Sequence, residues 1–119
     1  MQNPPLKNSV KSTMSSSLKK YKIKILQPAL DEIDGLCAFI QKNSSRQASI
    51  FLDNIWKKIS SLKTFPYRGA RAKVFETESL SLEVRFLEYK GYLVLYTIES
   101  SGVIILHVTG PGQDWISLF

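Results

Sequence analysis

Cysteine and histidine are almost absent from this sequence, which has one of each among 119 residues, Cys37 and His107. A single cysteine cannot form an internal disulfide, and a structural zinc site needs several Cys or His ligands. These absences exclude a disulfide scaffold and a Cys/His zinc site within one chain. They favour a protein of the reducing cytoplasm, and we expect neither a metal nor a cofactor.

Long hydrophobic runs are also missing. No apolar run approaches the roughly 18–20 residues that a membrane-spanning helix needs, and the N-terminus lacks the apolar segment of a secretory signal. Apolar residues make up 44% and charged residues 22% of the chain, which is ordinary for a globular protein. The length suits one domain. We therefore predict a single cytoplasmic domain without a membrane partner.

The net charge of +6 is concentrated at the N-terminus, where residues 1–24 contain six lysines and no acid. From residue 25 onward, ten basic residues balance ten acidic ones. Residues 1–18 are rich in Ser, Asn, Pro and Lys without periodicity, which predicts a disordered basic leader before a domain over residues 19–119. Within that domain, residues 42–73 hold eight basic side chains against the single acid Asp53, so a local positive patch is plausible.

Two apolar stripes at helical spacing predict a helical hairpin after a short strand over residues 21–26. Pro28 suits the first turn of the first helix, and Ser44 or Ser45 can cap the second. Gly35 lies inside the first helix at a cost of about 1 kcal/mol relative to Ala, so we expect it to mark close packing. The stripes are Leu30, Ile33, Leu36, Cys37 and Ile40, then Ala48, Phe51, Leu52, Ile55, Trp56, Ile59 and Leu62.

Three apolar segments predict strands over residues 82–89, 92–98 and 103–108, and the chain before them is predicted to be irregular to about Ser81. The result is an α+β domain with the order β-α-α-β-β-β, in which the helical hairpin packs on one face of a largely antiparallel four-stranded sheet. The last two strands are apolar on both faces. The second face must therefore be covered by the leader, by the residues after Gly112 or by another protein, and we predict a domain built to be bound.

Candidate catalytic groups are few. Cys37 lies on an apolar stripe and His107 lies inside a strand, so we interpret both as structural rather than as a catalytic dyad. The Gly-Pro-Gly sequence at residues 110–112 lacks the lysine and helix of a phosphate-binding loop and predicts a turn. A metal-free nuclease can use Arg, Lys and Tyr side chains around a phosphate. Such residues here are Arg71, Lys73, Arg85, Lys90, Tyr92 and Tyr96.

Several short motifs occur in an order that resembles the RelE/ParE toxin superfamily. The closing Gln-Asp-Trp resembles the ParE-type ending, and the resemblance covers residues 20–115. In chain order the motifs are PALDEI at 28–33, LKTFP at 62–66, Gly69 and Arg71, Val84-Arg85, GYLVLY at 91–96, VIILHV at 103–108 and Gln113-Asp114-Trp115.

The resemblance implies the toxin of a bacterial type II toxin–antitoxin system. Such a protein arrests growth, contributes to plasmid stabilisation and is neutralised by a cognate antitoxin in a hetero-oligomeric complex. RelE-like members cleave mRNA on the ribosome, whereas ParE-like members inhibit DNA gyrase. Leu93 stands where RelE-like nucleases carry an arginine, Pro111 and Gly112 stand where they carry a basic pair, and no Tyr or His follows His107. These departures favour the ParE-like branch.

Three hypotheses about the function follow, and two of them name site residues. A gyrase inhibitor would place its target-binding determinants on Arg68, Arg71, Arg85, Gln113, Asp114 and Trp115. The alternative, a ribosome-dependent mRNA endoribonuclease, would use Arg71, Arg85, Lys90 and Tyr96. The third hypothesis is a non-toxic member that only binds antitoxin, because the family's histidine-glycine pair is separated here by two residues. Whether the protein is an enzyme stays open at this stage.

Overall fold

The structure is a computed structural model that describes residues 20–119, so the predicted leader over residues 1–18 lies outside the described residues. Two short 3-10 helices, Pro66–Arg68 and Ile116–Leu118, accompany the main elements. In chain order these are β1 (Lys22–Ile25), α1 (Gln27–Gln41), α2 (Ser45–Ser61), β2 (Ala70–Glu76), β3 (Ser81–Tyr89), β4 (Tyr92–Glu99) and β5 (Gly102–Thr109).

The helical hairpin forms as its apolar stripes predict. Pro28 lies in the first turn of α1, where its missing N–H leaves no donor unpaired. Ser44 caps α2, since its side-chain oxygen accepts a hydrogen bond from the Gln47 backbone N–H at 3.0 Å. Both helices direct their stripes at one face of the sheet, which we call the helix face. The core between them contains Ala29, Ile33, Phe51, Ile55, Ile59, Leu62, Leu87, Val94, Tyr96, Val103, Ile105 and Val108.

The sheet has the strand order β1-β5-β4-β3-β2, in which β1 is parallel to β5 and all other pairs are antiparallel. The α+β class is confirmed, but the predicted four strands are five. Residues 70–76, expected to be irregular, form β2 against β3. The sequence pattern does not predict β2, because β2 is an edge strand with basic side chains. An irregularity between Arg71 and Lys73 also interrupts the alternation of its side chains between the two faces.

The opposite side of the sheet, which we call the far face, is covered at its centre by the end of the chain itself. The Phe119 ring centroid lies 5.2 Å from that of Phe75 on β2 and 5.4 Å from that of His107 on β5. Because β3 and β4 lie between β2 and β5, Phe119 lies over the middle strands, where Val84 and Leu95 are fully buried. Of the three covers that the sequence allows, the residues after Gly112 therefore supply the central one.

Gly35 does not mark close packing, so that expectation was wrong. The residue is exposed on α1, and a Cβ built there would have nothing within 4 Å. The glycine therefore carries its conformational entropy cost without a packing benefit in the described part of the chain.

We expect Phe119→Ala to lower the free energy of unfolding by about 1–2 kcal/mol, since roughly half of a buried phenylalanine's contribution is lost at this partly exposed position. The matched control is Ile116→Ala, because Ile116 is similarly exposed, 50% against 44%, but lies outside the Phe75–His107 contact. Urea unfolding of both variants measures the difference. Equal losses in the two variants would contradict the specific role of Phe119.

Gly35→Ala is expected to raise the free energy of unfolding by about 1 kcal/mol, because alanine restricts the unfolded chain and meets no obstacle in the helix. The reverse change at a neighbouring exposed position of α1, Ala38→Gly, should lower it by a similar amount. Thermal or urea denaturation gives both values. A destabilised Gly35→Ala variant would indicate a contact that the structure lacks.

Candidate functional site

The three arginines that were predicted to bind a target lie close to the turn between α2 and β2. Arg71 on β2 lies directly opposite Arg85 on β3, and both share the helix face with Tyr96. Arg68 precedes them in the first 3-10 helix, and its guanidinium donates a hydrogen bond to the Ser61 hydroxyl at 2.8 Å. We call Arg68, Arg71 and Arg85 the arginine cluster.

A carboxylate that sequence reasoning missed bridges two members of this cluster. Glu83 Oε2 lies 2.6 Å from Arg71 Nε, and Glu83 Oε1 lies 3.3 Å from Arg85 Nε. Two like charges directly opposite across antiparallel strands are destabilising, so the Glu83 carboxylate offsets the repulsion between the arginines. The bridge lies at the surface, because the Arg71 side chain is 65% exposed.

Arg85 is held much more rigidly than Arg71. Its side chain is only 15% exposed, and its Nη1 donates to the Gly69 carbonyl oxygen at 2.6 Å. The Tyr67 ring, which is itself exposed, lies against the guanidinium with 5.1 Å between the ring centroid and Arg85 Cζ. The cluster therefore combines one fixed cation, Arg85, with two exposed ones, Arg68 and Arg71.

Tyr96 lies opposite Arg85 on the neighbouring strand β4 and anchors the turn that precedes β2. It is fully buried, and its hydroxyl donates to the Pro66 carbonyl at 2.7 Å and accepts from the Gly69 N–H at 3.0 Å. Burial raises the pKa of the Tyr96 hydroxyl above its usual value. Gly69 fits only as glycine, since a Cβ there would lie 2.6 Å from the Phe86 carbonyl oxygen.

The four residues of the nuclease alternative do not form one site. Arg71 and Arg85 are adjacent, but the Tyr96 hydroxyl is buried and its proton is committed to Pro66. Lys90 lies in the turn after β3, five residues beyond Arg85, which is about 17 Å along an extended strand. Its ammonium lies 5.6 Å from the Tyr89 ring centroid instead.

The predicted C-terminal determinants lie away from the arginine cluster. Gln113 closes the turn after β5, where its side-chain oxygen accepts from the Gly110 N–H at 3.1 Å. The Asp114 carbonyl accepts from the Ser117 hydroxyl, and the Trp115 ring packs edge-on against Phe119, with centroids 6.1 Å apart. Because Phe119 lies on the far face, the contact of Trp115 with it places Trp115 on the side of the sheet opposite the arginine cluster.

His107 has the structural role that its position in a strand predicts. Its Nδ1 lies 2.9 Å from Glu32 Oε2, while Glu32 Oε1 accepts from the Val108 backbone N–H at 2.9 Å. Glu32 thereby occupies the edge of β5 beyond the last residue that pairs with β1. Cys37 is partly buried against the core. Within residues 20–119, no group of three or more Asp, Glu, His and Cys side chains could hold a metal ion.

Glu83 and Tyr67 are the site residues that the sequence did not reveal. Glu83 precedes Arg85 by two residues, so the two share a face of β3, and this spacing was an available signal. Its contact with Arg71 depends on the register between β3 and β2, which local pattern does not give.

Neither helix of the described chain has the length and hydropathy that a membrane span requires.

Comparison with known proteins gives one family and one fold. The family model described as the ParE toxin of the type II toxin–antitoxin system parDE matches residues 23–115. A solved structure, the chromosomal ParDE TA system from P. aeruginosa, superposes with a TM-score of 0.60 at 14% identity, covering 78% of this chain and 98% of that chain. At this identity the superposition establishes a likeness of fold. Among curated proteins, none matches the chain.

We expect Tyr96→Phe to lower the free energy of unfolding by about 1–3 kcal/mol, because it leaves the buried Pro66 carbonyl and Gly69 N–H without their partner. The substitution should also change how the free energy of unfolding falls at alkaline pH. Since the folded-state pKa of Tyr96 is raised above 10.0, the unfolded chain loses its proton first, so this contribution holds below about pH 10 and is lost above it.

Urea titrations between pH 7 and 11 measure both effects, with Tyr67→Phe as the control because Tyr67 is 60% exposed. The decline in stability above pH 10 should be shallower in Tyr96→Phe than in the wild type and unchanged in Tyr67→Phe. Identical alkaline limbs in all three proteins would show that the Tyr96 hydroxyl is not selectively protected.

Proposed function

Since the chain belongs to the ParE toxin family of type II toxin–antitoxin systems, we propose that it arrests growth by inhibiting DNA gyrase and that a cognate antitoxin neutralises it. The two proteins would form a hetero-oligomeric complex in the cytoplasm. The observation that carries the toxin assignment is the extent of the family match, which runs from Ile23 in β1 through the end of β5 to Trp115.

The geometry favours inhibition by binding over cleavage of RNA. A general base or acid must reach the reacting atoms, yet the Tyr96 hydroxyl is buried and hydrogen-bonded on both sides. Lys90 lies in the turn after β3, five residues beyond Arg85. The RelE-like arginine position holds Leu93, which cannot neutralise a phosphate.

Arg71 is better placed than Arg85 to contact a target. Its side chain is mostly exposed, whereas Arg85 is fixed between Gly69 and Tyr67. We propose the arginine cluster as the main gyrase-binding surface. Gln113, Asp114 and Trp115 would form a separate contact, because they follow β5 and Trp115 packs on Phe119 at the far face.

The test is a supercoiling assay with purified gyrase, relaxed plasmid and increasing amounts of the purified chain. We expect dose-dependent loss of supercoiling. Arg71→Gln should raise the half-inhibitory concentration by roughly tenfold, the effect of about 1.4 kcal/mol of lost charge-assisted contact. Lys90→Gln removes the same charge in the turn after β3, away from Arg71, and should leave the half-inhibitory concentration unchanged.

Growth arrest on induction with gyrase supercoiling intact would contradict the proposed target. Primer extension on a translated mRNA then separates the ribosomal alternative, which predicts cuts that disappear in Arg85→Ala. Normal growth of cells without the neighbouring antitoxin gene would favour the non-toxic, antitoxin-binding hypothesis instead. Co-purification with the product of that neighbouring gene tests the antitoxin partner separately from the target.

A further inference from the structure

The Arg71–Glu83–Arg85 bridge leaves much of its binding capacity unused. Each guanidinium carries five N–H donors, and Glu83 contacts the Nε of each arginine. The carboxylate itself is 35% exposed and Arg71 is 65% exposed, so the bridge is open to a competitor from solvent. Its geometry already shows which ligand chemistry fits between the two arginines, because the occupant is a carboxylate.

An apolar cleft adjoins this bridge. It has a volume of about 370 Å³ and is lined by the chain from Thr64 to Arg68. Phe65 and Tyr67 in its wall are each 60% exposed, so both rings offer apolar surface to a ligand. Tyr67 also packs on Arg85, so the cleft and the arginines form one continuous surface.

The chain that forms this surface is rich in basic residues. Residues 57–73, which contain the end of α2, the turn that follows it and the start of β2, carry six basic side chains and no acid. A field of this sign draws acidic ligands toward the cleft and raises their association rate. The surface therefore combines attraction for acids with a place for an apolar side chain.

We propose that Arg71 and Arg85 form a carboxylate-binding site that Glu83 holds closed in the free protein. Its ligand is a protein segment that presents an acidic side chain next to an apolar one. The acidic group replaces Glu83 between the arginines, and the apolar group enters the cleft beside Tyr67. This inference deepens the proposed function, since it rests on the arginine cluster being the partner-binding surface.

The observations favour a protein ligand over a nucleic acid. A nucleic-acid site relies on several cations along the phosphate backbone, whereas the surface next to this arginine pair is the apolar cleft. The residues from 25 onward also balance in charge, so the domain lacks the overall excess that typifies nucleic-acid binding.

The experiment measures binding of a fluorescein-labelled peptide with the sequence Glu-Leu-Glu-Leu-Glu-Leu, by fluorescence anisotropy on the purified full chain. Glu83→Gln removes the internal competitor and should tighten binding five- to tenfold. Glu99→Gln makes the same change in net charge at the end of β4, on the face opposite Tyr96, and should change the dissociation constant less than 1.5-fold. The double variant Arg71→Gln, Glu83→Gln should lose the gain in peptide affinity that Glu83→Gln alone produces.

Two further probes test the chemistry of the ligand. A peptide with glutamine in place of every glutamate should lose both binding and its response to Glu83→Gln, and one with serine in place of every leucine should bind at least fivefold more weakly. A single-stranded RNA 12-mer should gain less than twofold on Glu83→Gln. A larger gain for the RNA than for the acidic peptide, or no gain for the peptide, overturns the proposal.

A stability measurement separates a site from a purely structural salt bridge. Glu83→Gln should lower the melting temperature, because the facing arginines then repel, while it strengthens peptide binding. If Glu83→Gln does not fold, Glu83→Asp serves instead; its shorter carboxylate cannot span both arginines and should tighten binding two- to threefold. Lower stability without tighter binding would leave Glu83 only the structural role and end the proposal.

Failure here is distinguishable from failure of the proposed function, since the peptide assay uses neither gyrase nor growth. Gyrase inhibition with a peptide response that does not depend on Glu83 overturns only the closed carboxylate site. A Glu83-dependent peptide response without gyrase inhibition overturns only the target.

Discussion

The hydrogen bonds of the Tyr96 hydroxyl are the constraint on which the arginine cluster depends. They tie the turn between α2 and β2 to the middle of the sheet, through the Pro66 carbonyl and the Gly69 N–H. Gly69 permits this approach because it has no side chain where the Phe86 carbonyl passes. β2 begins one residue later, so this tie fixes the register that places Arg71 opposite Arg85. The arginine cluster is thus a consequence of a buried tyrosine.

Local sequence pattern was enough to predict the helices and four of the five strands. Their apolar residues recur at a period of 3.6 or line nearly continuous buried segments, and both signals come from neighbouring residues. β2 has no such signal, because an edge strand needs only one partner and carries polar side chains that protect its open edge. The individual arginines could be proposed as site residues from their type and motif, and that role stays a prediction. Their convergence with Glu83 could not, because it depends on a register between strands.

The cover of the far face shows the same limit at longer range. The sequence indicates that apolar strands need a second cover, but the contact that supplies it joins Phe119 to Phe75, 44 residues away along the chain. Such pairs depend on the twist of the whole sheet. Gly35 illustrates the opposite error. Glycine inside a helix lowers stability, which suggests that close packing requires it, but the exposed helix surface around Gly35 offers no such packing.

The buried tyrosine also bears on how this domain acts. If Tyr96 took part in cleaving a phosphodiester, its proton would have to leave the Pro66 carbonyl, and burial raises the pKa of the hydroxyl. To reach a substrate, the Tyr96 side chain would also have to leave its buried position, which would break the hydrogen bond from the Gly69 N–H and loosen the start of β2, where Arg71 lies. Chemistry at Tyr96 and a stable arginine surface therefore oppose each other in this chain. A rigid Tyr96 beneath an exposed, charged surface is the arrangement expected of a protein that acts by binding, as we propose for this member of the ParE toxin family.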